Sequence, residues 1–321
     1  MTKKLWIGGS VVLILAATGA LVYANHQAEL YVAAQIKDAN QQYKELAELG
    51  EMPPFQLAYQ DLSANVLTSH YKVHGLTLSM DGMGAIASVE LVDLKGVQLS
   101  GMPSQSSARL EGIRIADAVL QGLPPELSAY LQQLSMGLNY QYQYDAHLGE
   151  LNFSQQLLVQ DKLELSYQFS LGGMQPLWGY AEELQKLSPE QQQQRAEQED
   201  YLPELMQKVG QASLIKGQVQ IDNHEFWQQL TGHFASAGFS ADFATLQTLL
   251  LAQLDDNPQL PDAIRQPLQQ FIQQPEQIRL SFEFAEPVSF ASMQDGTAMQ
   301  GIESTEQLLE KAGFVLEAKT F

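Results

Sequence analysis

The chain has 321 residues, with 17 Lys and Arg against 37 Asp and Glu, and no cysteine. A formal charge of −20 excludes the basic footprint that nucleic acid demands, and the missing cysteine excludes disulfides, thiolate metal sites, a cysteine nucleophile and a lipidated cysteine. The hydrophobic content of 45% is ordinary for a globular chain of one large or two small domains.

The first element is Leu5–Ala24, an uncharged run behind Lys3 and Lys4. It has about the length that crosses ~30 Å of hydrocarbon as a helix. Basic residues before it, and none after it until Lys37, favour a cytoplasmic N-terminus. Trp6 and Tyr23 sit at its two ends, where aromatic rings favour the membrane interface. The run reads as a retained anchor over residues 1–24. A cleaved secretory signal is the rival, since Val22-Tyr23-Ala24 resembles a cleavage site, and a buried core helix is the third reading. Both leading readings export the remainder. Without Lys3 and Lys4, 15 basic residues stand against 37 acidic ones, a balance that also opposes flat contact with anionic lipid.

Residues 25–52 predict a stalk helix, with Leu30, Ala33, Ile36, Tyr43, Leu46 and Leu49 at three- and four-residue steps, stopped by Gly50 and Pro53-Pro54. Residues 53–175 predict an antiparallel β-meander. Phe55, Leu57 and Tyr59 alternate as a first strand, and then one pattern occurs three times: Val73–Leu78, Leu94–Leu99 and Leu110–Ile115. Each copy reads apolar, polar, Gly, apolar, polar, apolar. A two-residue period would put the next apolar side chain one position earlier, so the phase slips at Gly75, Gly96 and Gly112. That slip predicts a bulge or sharp bend in each strand. A fourth copy, Ile215–Ile221, carries Gly217 without the slip.

Pro124-Pro125 opens a helix that Gly137 should end. Two strands follow, Leu138–Asp145 and Leu163–Leu171, with Leu151-Asn152-Phe153 as a short one between them. Each alternates one wet and one apolar face, as half-buried antiparallel sheet requires. Residues 176–321 predict an α+β portion that continues the sheet. It should hold a helix from Trp178 to Leu187, a Gln-rich segment over 188–200 as an exposed helix or loop, and a strand over Leu214–Ile221. Two apolar stripes follow, Phe226/Trp227/Leu230/Phe234 and Phe243/Leu246/Leu250/Leu254, then a helix kinked or split at Pro267. A strand broken by Pro287, a capping box at Ser304–Gln307 and a last strand at Phe314–Lys319 complete the chain. The fold class is therefore α+β: an N-terminal transmembrane helix, then a curved antiparallel sheet with helices packed on it.

No constellation carries chemistry. His70 and His74 lie on a strand, where a four-residue step separates them by ~13 Å; His224-Glu225 lacks the second histidine of a zinc helix; no nucleophile elbow or phosphate loop is present. Neither catalytic residues, metal nor cofactor is expected. One candidate site remains, an apolar groove wall built from Tyr140, Tyr142, Tyr144, Tyr167 and Phe169, whose rings could also simply pack on a helix.

The anchor, the stalk, the three Gly-broken copies and Gln277–Phe282 running into Pro287-Val288-Ser289 together resemble AsmA-like and YdgA-type envelope proteins of Gram-negative bacteria. The AsmA-like resemblance implies envelope biogenesis and lipid movement through an apolar β-groove, although this chain is too short to bridge the periplasm. The expectation is a non-enzymatic protein of the bacterial inner membrane, single-pass, with its C-terminal domain in the periplasm. It would bind a lipid, another apolar ligand or an envelope protein. A structural or assembly factor is the alternative, and an exported hydrolase a third.

Overall fold

A computed structural model describes residues 25–65, 68–96, 102–239, 241–257 and 260–320. The run Leu5–Ala24 lies outside the described residues, as do 97–99 of the second glycine copy. Among the described residues, no helix is long and apolar enough to cross a membrane.

The described residues build one curved antiparallel sheet of eleven strands: β1 (Phe55–Ala58), β2 (Asp61–Asn65), β3 (His70–Met80), β4 (Gly84–Lys95), β5 (Gln105–Ile115), β6 (Met136–Asp145), β7 (Glu150–Val159), β8 (Leu163–Gly172), β9 (Ser213–Asn223), β10 (Gln277–Ser289) and β11 (Val315–Lys319). Neighbours in sequence are neighbours in the sheet, except that β1 and β2 both pair with β3. The sheet does not close, because β1 and β11 are not paired. Strands on both sides of residue 175 belong to it.

One face of the sheet is apolar, and helices cover it in three places. The first helix, α1 (Asn25–Glu48), runs along the β1–β2 edge, with Tyr43 beside Phe55 and Asn40 beside Leu57. Its seam is Val32 and Ile36, packed with Tyr71, Val73, Leu94 and Ala108; Leu30 and Leu49 are exposed, unlike the stripe expected from their spacing. At one end of the strands, α2 (Asp117–Leu120), α3 (Pro125–Gln133) and α7 (Phe226–Ser236) lie over the sheet. There Tyr130 and Leu134 meet Val159, Leu163 and Phe226. At the other end, α4 (Gln175–Gln185) and α10 (Phe290–Gln294) bring Trp178 and Phe290 onto Tyr144, Met174 and Ala212. The remaining helices are α5 (Pro189–Ala196), α6 (Tyr201–Gln211), α8 (Phe243–Asp255), α9 (Asp262–Gln273) and α11 (Thr305–Lys311). Of these, α9 packs along β11.

The glycine pattern has the expected consequence at Gly75 and Gly112 but not at Gly96. Gly75, Gly96 and Gly112 all have positive φ, at 61°, 76° and 63°. Val73 and Leu76, three apart, enter the same apolar cluster, so the phase does slip at Gly75. At Gly112 the register against β6 shifts between Leu110 and Ile113, which is a bulge. Gly96 differs: it follows the last residue of β4 and ends the strand instead of bending it. Gly75 faces Gln60, at the break between β1 and β2, and Gly112 faces Glu90; a Cβ would meet those side chains at 2.5 Å and 2.7 Å. The registers put Gln60, Gly75, Glu90 and Gly112 opposite one another, a crease running across the sheet.

Several boundaries differ from the expected ones. The helix at Pro125 stops at Gln133, and Gly137 belongs to β6, where its missing side chain lets the Leu110 carbonyl approach. The short strand at Leu151 is ten residues long, because Gln155 on its apolar side is paired with the Tyr167 hydroxyl at 2.5 Å and so does not interrupt the face. Pro267 lies inside an unbroken α9. Pro287 does not end β10: residues between Glu283 and Val288 bulge out of the register, and pairing with β9 resumes at Leu214 and Ser213. The Gln-rich segment is a helix opened by a full capping box at Ser188 and Gln191. The two late stripes are only partly inward, since Trp227 is 37% and Leu250 50% exposed.

Gly217 is buried without positive φ, clasped between Phe169 and Phe282, whose rings lie where a Cβ would stand at 2.5–2.6 Å. Gly217→Val should therefore lower unfolding free energy by about 1–3 kcal/mol, as overpacking does. Gly179→Ala, in open space on α4, should raise it by roughly 0.5–1 kcal/mol. Urea denaturation of both variants checks the pair of signs.

Candidate functional site

Strict alternation along β6–β10 sorts side chains onto two faces. Tyr140, Tyr142 and Tyr144 register with Gln155, Phe153 and Leu151, and these with Tyr167, Phe169 and Leu171. All of them belong to the helix-bearing face. Tyr144, 8% exposed, stacks on Trp178 with ring centroids 4.0 Å apart, and Tyr142 meets the same indole edge-on at 5.9 Å. Ring contacts continue from Tyr140 through Phe153, Tyr167 and Phe169 to Phe282 and Phe284. The five residues expected in a groove wall are thus brought together as one aromatic band, anchored at its Tyr144 end under α4. The strand-bend residues Gly75 and Gly112 lie in the crease, away from this band.

The opposite face holds the depression. A trough of about 840 Å³ crosses the strands from Lys95 to Val315. Its lining follows the alternate positions: the row Gln141, Ser154, Gln168, Gln218 and Ser281, and beside it Gln143, Asn152, Ser170, Lys216 and Glu283. Tyr142, Phe153, Phe169 and Phe282 also border it; they form the alternate row with Gly217, and their side chains belong to the other face, so their backbone forms the trough floor. A second depression of about 450 Å³ continues it past Asp93, Arg109, Asn139, Gln156 and Glu164. Every aromatic ring of β6–β10 is on the other side of the sheet.

Hydrogen bonding divides the polar face. In the row nearer the far strand ends, Asn139 donates to Gln156 at 2.7 Å, Gln156 donates to Glu164 at 2.6 Å, and Arg279 donates to Gln220 at 3.0 Å. Ser170 donates to Asn152 at 2.6 Å. The central row is different. Among the described residues, the carboxamides of Gln141, Gln168 and Gln218 have no side-chain hydrogen-bond partner, and Lys95 and Lys216 have no ion pair. Asp93 is engaged by His70 at 2.6 Å, and Arg109 pairs with Glu111. The arrangement offers donors and acceptors in a line and, among the described residues, no set of three metal-ligating groups.

The trough residues could have been found from the same alternation that reveals the tyrosines. Gln141, Gln143 and Gln168 are the wet partners of that pattern, and polar residues on an outward face carry no signal of their own. Lys95 and Lys216 are ordinary surface lysines in the sequence, and only strand pairing brings them to one surface.

Residues 156–319, just over half of the chain, match the model of a family described as an uncharacterized protein. The match begins in β7 and ends in β11, so it covers half of the residues that line the trough, Gln168 and Gln218 among them but not Gln141. No curated protein matches the chain.

The apolar face has a titratable signature. The Tyr142 hydroxyl donates to the Pro103 carbonyl at 3.0 Å, and its pKa is pushed up to about 12 by burial, with the Tyr140 hydroxyl adding to the shift. A phenol raised in the folded state keeps its proton where the unfolded chain has already lost it. Its contribution is complete below the unfolded value of 10.0 and disappears as pH rises from there through about 12. Denaturation midpoints should fall in that window, and Tyr142→Phe should flatten the fall; absorbance at the tyrosinate band, followed with pH, assigns it.

Proposed function

For a chain that belongs to this uncharacterized protein family, we propose a non-enzymatic binding protein of the bacterial cell envelope, whose working surface is the polar trough and whose partner is another envelope protein. Leu5–Ala24 tethers it to the inner membrane and leaves the sheet in the periplasm. The observation that carries the reading is the line of carboxamides, Gln141, Gln168 and Gln218, across the trough floor, which have no side-chain partner among the described residues. A surface of this kind is satisfied by a ligand rich in hydrogen-bonding groups.

The reading departs from the lipid ligand that the AsmA-like resemblance implies. An acyl chain in this trough would strip water from amides and hydroxyls and return no hydrogen bonds, at about 1–3 kcal/mol for each group left unsatisfied. The aromatic band on the other face is partly occupied by its own helices, with Trp178 seated on Tyr144.

Site-specific photocrosslinking in cells tests this. A photoreactive residue at Gln141, Gln168 or Gln218 should give adducts that map to one stretch of one envelope protein, while the same probe at exposed Leu250 should not. Adducts with phospholipid alone, or an even scatter over many proteins, would sink the proposal. A mature N-terminus at Asn25 would remove the anchor from it.

A further inference from the structure

We infer that the trough takes an extended polypeptide segment, laid across the strands and carrying amide and acidic side chains. This rests on the trough being the working surface and names what occupies it. Three observations carry it: the chemistry of the floor, the alternation that turns the rings of the bordering Tyr142, Phe153, Phe169 and Phe282 to the other face, and the charges at its ends.

The floor presents carboxamides. Each is a planar group with a paired donor and acceptor, the same pair that a peptide unit presents. Gln141, Gln168 and Gln218 are left unpartnered among the described residues, interleaved with the hydroxyls of Ser154 and Ser281. From β4 to β11 the trough crosses seven strand spacings, about 34 Å at the usual ~4.8 Å separation. An extended chain covers that with roughly ten residues. A linear glycan also offers hydroxyls and amides, but its sugar faces need a flat platform, and the aromatic rings of β6–β10 all point to the opposite face.

The charges specify the rest. Overall the chain is strongly acidic, yet the trough carries Lys95 near one end and Lys216 towards the other, both without an ion pair among the described residues. The carboxylates around the two depressions are mostly engaged: Asp93 by His70, Glu164 by Gln156. Glu283 is the exception, beside Lys216 in the register. A segment with acidic side chains spaced to reach both lysines is therefore complementary at the trough itself, whereas a basic segment, though drawn by the acidic molecule as a whole, would meet Lys95 and Lys216 as like charges.

The test uses the full-length chain in detergent and a fluorescent peptide of about ten residues, rich in Ser, Gln and Asn with one Glu near each end. Fluorescence anisotropy should show saturable binding that weakens by about tenfold in the Gln168→Leu/Gln218→Leu variant. Lys95→Glu/Lys216→Glu should weaken it further and reverse the sign of its salt dependence. Unchanged circular dichroism and thermal midpoints establish that both variants are folded; should one fail to fold, a matching peptide with Lys in place of Glu, binding much less tightly to the unaltered chain, carries the charge claim. Absence of binding, binding indifferent to all four substitutions, or displacement of the peptide by a soluble N-acetylglucosamine oligomer would overturn the inference. Adducts in cells that map to a folded partner surface, with no peptide binding, would overturn it alone and leave the proposed function standing.

Discussion

Everything in this fold depends on a sheet ten strands wide having two chemically different faces. An open sheet of this size must bury one face to be stable, and its edges must be protected from pairing with other chains. Both demands are met by identifiable groups. On the β1 edge, the Asn40 carboxamide of α1 donates to the Leu57 carbonyl at 2.8 Å and accepts from the Leu57 amide at 2.6 Å. It reproduces one rung of a strand pair with a side chain. On the other edge, β11 is only five residues long, carries Glu317 and Lys319, and is packed by α9.

The crease is what allows the apolar face to be covered at all. With strict alternation over eleven residues, β3 would turn its far half to the wrong side after Val73. Gly75 takes positive φ, the phase slips, and Leu76 rejoins the cluster that holds Val73. Gly112 does the same for β5 by a bulge. Neither position tolerates a side chain, because Gln60 and Glu90 lie over the missing Cβ atoms. The bend and the steric closure are thus one feature, placed where α1 needs a curved bed for Val32 and Ile36.

The N-terminal half of the fold was legible because glycine and alternation both act locally. The Gly-broken strands at Gly75 and Gly112 and the tyrosine ladder follow from φ preferences and a two-residue period, and the sheet contains both; the copy at Gly96 does not bend its strand. What could not be read depends on neighbours remote in sequence. Pro287 breaks a strand only if its amide must pair; here it falls in residues bulged out of the β9 register. Trp227 and Leu250 sit at stripe positions, yet nothing tells a helix which side its partners will occupy. The aromatic band was visible as single strands, whereas its contact with Trp178 depends on where α4 returns to the sheet. The trough was hidden for the opposite reason: polar side chains on an outward face look like solvation until pairing lines up Gln141, Gln168 and Gln218.

The direction of α1 relates the trough to the anchor proposed at Leu5–Ala24. Tyr43 lies beside Phe55, at the start of β1, so the helix runs antiparallel to β1 and β2 and its first residue reaches the end of the sheet where β2 finishes and β5 begins. The β6–β7 turn and α4 are at that same end. The rows of Gln141 and Gln143 are the trough rows nearest to it, and the trough crosses the strands instead of following them. On the proposed tether at residues 5–24, the trough would lie towards the end of the domain from which α1 starts. A partner segment would then be taken up towards that end, within reach of proteins held in the same bilayer, and the acidic remainder of the domain would keep the sheet itself from lying down on anionic lipid.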